Sequence, residues 1–74
     1  MKNAVLKNKF DDYLEFKMKV LKNETDEYFA NKWGYELVGY ITAAVDLNFI
    51  TKDEWRMYNA EIQELWFDVL MKIM

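Results

Sequence analysis

The sequence has no cysteine, no histidine, no proline and no serine, and only two glycines among its 74 residues. Without Cys or His there is no zinc site of the usual kind, no common haem ligand and no iron–sulfur cluster, so metal chemistry would fall to carboxylates alone. Nucleophilic catalysis normally sets Ser or Cys beside an imidazole, and acid–base catalysis near neutral pH most often uses His. A pair of carboxylates can hydrolyse a glycoside, but the reaction needs a cleft that 74 helical residues hardly enclose. The chain is therefore expected to be no enzyme, with no cofactor, no metal and no small-molecule substrate. Long apolar runs are missing too. The longest uncharged stretch, Leu37 to Val45, falls far short of the roughly 18 residues that span a bilayer. Met1-Lys2-Asn3 leads straight into a charged amphipathic pattern, so neither a membrane segment nor a signal peptide is expected, and the reading is cytoplasmic.

What is present is apolar and aromatic: 53% hydrophobic and 18% aromatic residues, well above a disordered composition. A chain of 9.0 kDa makes one domain, residues 1–74. At this size folding buries only about 60% of the unfolded surface, so surplus apolar surface is expected to be shared with a partner. The net charge of −3 and a pI near 4.8 argue against direct nucleic-acid binding, as does the single Arg among ten basic residues. The charge is uneven. Residues 1–24 hold six Lys against four acids, a net of +2, while residues 25–74 hold four basic and nine acidic residues, a net of −5, so the two parts attract.

Three helical stretches follow from the spacing, and no segment alternates like a strand. The first, about residues 3–21, has Asn3 as its expected N-cap and gathers Leu6, Phe10, Tyr13, Leu14, Val20 and Leu21 on one face. The second, about 25–47, starts from Asn23 or Thr25 and aligns Phe29, Trp33, Leu37, Tyr40, Ala44 and Leu47, with Val38, Ile41 and Val45 widening the stripe. Such a broad apolar arc marks a central helix, in which Gly34, Gly39, Ala43 and Ala44 are expected to allow close approach. Gly34 costs about 1 kcal/mol inside a helix, so it is where this stretch is expected to kink or split. The third runs from Thr51 to the chain end. Thr51-Lys52-Asp53-Glu54 reads as a capping box with Ile50 and Trp55 as its hydrophobic staple, and Trp55, Tyr58, Ile62, Leu65, Trp66, Val69 and Ile73 supply the core stripe. The expected fold is all-α, a three-helix antiparallel bundle.

Away from the core stripe of the third stretch lie Phe67, Met71 and Met74, with Met57 to one side. Met and aromatic side chains suit interfaces, because they bury large areas and adapt in shape. Together with Tyr28 and Tyr35 they are the candidate partner-binding residues, against the plainer reading that they close the core. Lys17 falls on the apolar face of the first stretch and must snorkel or pair, with Glu36 as the available carboxylate. Glu54, Glu61 and Asp68 recur at steps of seven, with Glu64 and Asp53 nearby. Their ordinary meaning is a solvated face; the sharper one is a row that imitates a nucleic-acid backbone. Asp11, Asp12 and Glu15 cluster without a calcium-loop pattern.

Two functional readings result. The first is a small helical protein-binding module that regulates or inhibits another protein, or pairs with a second copy of itself as a dimer, through the apolar and aromatic surface. Its size, acidity and Lys-, Asn- and Tyr-rich usage would suit an accessory protein of a phage or mobile element. The second is an acidic nucleic-acid mimic that blocks a host-defence nuclease or other DNA-handling enzyme.

Overall fold

The computed structural model describes the backbone of residues 2–74 and the side chains of residues 7–74. Three helices, α1 (Lys2–Lys22), α2 (Glu27–Asp46) and α3 (Lys52–Ile73), form an all-α bundle of 44 × 19 × 15 Å, with no strand among the described residues. Hydrogen bonds across the helices fix its topology. The Trp55 indole donates to Thr42 Oγ1 at 3.1 Å and the Trp66 indole to Asn31 Oδ1 at 3.0 Å, so moving up α3 means moving down α2: the two are antiparallel. Lys7 pairs with Glu54, and the Tyr58 hydroxyl donates to Asp11 at 3.3 Å, so α1 and α3 run the same way.

The core is the ridge Ala30, Gly34, Leu37, Ile41 and Ala44 of α2, set between Phe10, Leu14 and Leu21 of α1 and Ile62 and Val69 of α3, with Ile50 sealing one end. This ridge differs from the expected stripe. Phe29 lies exposed at the rim, Leu47 falls beyond the helix end, and Tyr13 of α1 is exposed while its ring rests 4.8 Å from that of Tyr40. The Trp66 ring of α3 reaches α2 at Gly34, and the buried ridge is turned toward Ala30, Gly34 and Ile41. Val20 is half-buried, and Leu6 lies outside the described side chains.

The helix runs unbroken through Gly34, which does not split it. A Cβ there would overlap the six-membered ring of Trp66, whereas one at Gly39 would meet open space. Gly34 therefore carries the close approach of α2 and α3; Gly39 and the exposed Ala43 do not.

The helix ends are chemically specified. Thr51 Oγ1 accepts from the Glu54 amide at 3.1 Å and Glu54 accepts from the Thr51 amide at 2.9 Å, completing the capping box. The N-cap of α2 is Asp26, which accepts from the Phe29 amide at 3.2 Å, in place of Asn23 or Thr25. Glu24 accounts for the shift: its carboxylate folds back to accept from the Thr25 and Asp26 amides and from the Trp33 indole, at 2.7 Å, holding the turn one residue longer. Those donors, the indole foremost, hold its pKa below the ordinary carboxylate range. Asn3, expected as the cap of α1, falls within its first turn.

At the end of α2 the Asn48 amide bonds to Val45 O and the Phe49 amide to Ala44 O, a Schellman closure with Asn48 at φ 61°. Only Gly takes that conformation freely, and Asn tolerates it better than Ala. Asn48→Ala is expected to lower stability by about 1 kcal/mol, and Asn48→Gly to match or exceed the parent. Urea unfolding of the two variants checks the order.

Candidate functional site

Three surfaces line the bundle, two of them between helices and one on the outward side of α3. Between α1 and α2, Lys17 places its ammonium 3.5 Å from Glu36 and 4.5 Å from the centre of the Trp33 ring. The lysine expected on the apolar face is thus paired, its charge shared between a carboxylate and an aromatic face. Trp33 is further stacked on Phe29, with Lys32 5.6 Å from its ring centre. This face is internally satisfied.

Between α1 and α3 runs a shallow, mainly apolar groove of about 400 Å³, floored by Leu14, Met18, Tyr58 and Leu65 and rimmed by charged residues of both signs. Burial, then the nearby Asp11 carboxylate, raises the Tyr58 pKa. At its lower end the Lys7 ammonium bonds to Glu54, so Glu54 sits below the ordinary carboxylate range and Lys7 above the ordinary ammonium range. The depressed carboxylate adds stability above an unfolded pKa near 4.3, lost as pH falls through its lower folded value. The raised ammonium adds stability below about 10.4, lost as pH rises through its higher folded value. Glu54→Gln is expected to cost about 0.5 kcal/mol at pH 7 and to flatten the decline in stability below about pH 4, read from urea unfolding at several pH values.

The third surface is the outward face of α3. Phe67 is 64%, Met71 55% and Met74 83% exposed. Met57 is exposed on the same helix, lower down. Tyr35 of α2 joins them through Trp66: its ring meets the indole edge-on at 4.8 Å, and Asn31, Gln63, Trp66, Phe67 and Leu70 line a dimple of about 160 Å³ beside it. Tyr28 is also exposed, and its ring meets that of Phe29 edge-on at 5.2 Å. The structure thus brings Phe67, Met71, Met74 and Tyr35 to one end of the α2/α3 edge and leaves Tyr28 and Met57 at its margins. Trp66, with its indole held by Asn31, is the part of this surface that the residue pattern assigned to the core alone.

The acidic row divides. Glu54 is taken up by Lys7 and the Thr51 cap, whereas Glu61, Glu64 and Asp68 are exposed and make no ion pair among the described residues. No group of three or more acidic side chains is placed to hold a metal ion among the described residues, Asp11, Asp12 and Glu15 included.

Fold and surface together define a three-helix bundle with one exposed apolar face on its third helix, and no described helix is long and apolar enough to cross a membrane. Compared with protein families, curated proteins and solved structures, the chain matches none.

Proposed function

We propose that this protein is a non-enzymatic helical binding module that regulates or inhibits another protein by capturing it on the outward face of α3. The observation that carries the reading is the exposure of Phe67, Met71 and Met74 in a protomer whose core is already complete without them. Isolated exposed apolar residues are ordinary, but a contiguous aromatic and Met-rich patch marks an interaction surface. An apolar interface also responds weakly to salt, whereas a nucleic-acid mimic acting through its carboxylates loses affinity steeply as ionic strength rises.

The test is a paired substitution, Phe67→Glu with Met71→Glu. Both side chains point to solvent, so helical circular dichroism and the melting temperature should stay close to those of the parent. Affinity capture from an extract of the source cell should lose the bound protein. Collapse of the fold, or capture unchanged by the two glutamates, would overturn the reading.

A further inference from the structure

The exposed residues of α3 have a finer order than a patch. Met57, Ala60, Glu64, Phe67, Met71 and Met74 follow one another at steps of three, four, three, four and three, and all six are exposed. That is the a/d spacing of a heptad, the pattern by which a helix pairs with a second helix at 3.5 residues per turn. It lies opposite the stripe of Trp55, Ile62 and Val69 that α3 presents to its own bundle. The helix therefore has two seams, and only one is covered. The open seam extends over about 26 Å, enough for a partner helix of about 18 residues.

Its flanks select the partner. Glu61 and Asp68 directly follow Ala60 and Phe67 and occupy one flank, and Glu64 sits within the seam itself; the other flank carries Arg56, Gln63 and Leu70. A second copy of the chain fits badly in either direction. Paired in parallel, Glu64 would meet its own counterpart inside the seam. Paired antiparallel, with Met57 opposite Met74 of the other copy, Glu61 would face Asp68 twice. Like charges so placed oppose association.

We infer that the open seam of α3 binds an amphipathic helix of another protein, one whose apolar stripe is bordered by Lys or Arg. The inference rests on the binding reading above and names the partner's chemistry. It also gives the acidic row a role: its carboxylates border an apolar seam and choose what lies on it. The methionines allow stripes of differing shape to be accepted.

The experiment uses the full chain and two designed helical peptides of 18 residues, with the same Leu and Ile stripe, one flanked by Lys and the other by Glu. Titration by fluorescence anisotropy should show the Lys-flanked peptide binding about tenfold more tightly at low salt, the margin narrowing as salt is raised. Glu61→Lys with Asp68→Lys should reverse the preference, Phe67→Glu should abolish binding of both peptides, and light scattering should show the chain alone as a monomer. Equal binding of the two peptides, preference for the Glu-flanked one, or a dimer that Phe67→Glu dissolves would overturn the partner's chemistry and leave α3 as a binding face. Binding of neither peptide, with no self-association, would overturn the seam and the binding reading together.

Discussion

Gly34→Ala, a change that favours an isolated helix by about 1 kcal/mol, is expected to destabilise this protein by about 2 kcal/mol. The new methyl group has no space, because it would land on the six-membered ring of Trp66. Nor can the indole easily withdraw: its Nε1 is held by Asn31 at 3.0 Å, and its ring packs T-shaped with that of Tyr35 at 4.8 Å between centres. Overpacking a fixed contact forces side chains off their rotamers or the helices apart, and that outweighs the propensity gain. For a chain of this size the loss corresponds to a fall in melting temperature of about 8 to 16 °C. The contact is isolated by a second background. With Trp66→Ala already in place the clash is gone, and Gly34→Ala should become stabilising, by up to about 1 kcal/mol. A stabilising Gly34→Ala in the parent would show that α2 and α3 do not meet through this glycine.

That glycine also shows where sequence reasoning reaches and where it stops. The helix count, the capping box at Thr51 and the core positions Ile62 and Val69 depend on interactions within a few residues, and spacing alone exposes them. The Lys17–Glu36 pair is one of the two outcomes legible in the pattern, because a lysine on an apolar face must either snorkel or find a carboxylate. The role of Gly34 is legible in part: a small residue on a broad apolar face promises close approach, but propensity reads it as the place to kink or split, and only the Trp66 ring of the neighbouring helix makes it a socket. Asn48 is illegible for a related reason: its signal is a backbone conformation, and a single Asn among turn residues does not announce it. The likeness of Asp26 to its polar neighbours hid the true cap of α2, which the folding back of Glu24 decides. As for the surface, composition pointed to an apolar excess near the chain end, and the residues were named. Their exposure depends on three helices filling the core without them, which is a property of packing.

Ile62→Ala and Phe67→Ala, five residues apart on α3, should divide most sharply in their effects. Ile62 is 0% exposed, a member of the buried core, and Phe67 is 64% exposed. Removing three carbons from Ile62 forfeits their transfer free energy and leaves a cavity that close-packed neighbours only partly fill, a loss of about 3 kcal/mol. In a domain of this size that lowers the melting temperature by about 12 to 24 °C and brings a marginally stable chain close to unfolding. Phe67 is the larger side chain, yet its truncation should change stability by less than about 0.5 kcal/mol, because most of its ring is in water in the folded state as in the unfolded one. Residue size alone would rank the two the other way. Thermal unfolding followed by circular dichroism separates the cases, and a Phe67→Ala loss that rivalled that of Ile62→Ala would mean that the outward seam is part of the protomer's core and is not free to receive another helix.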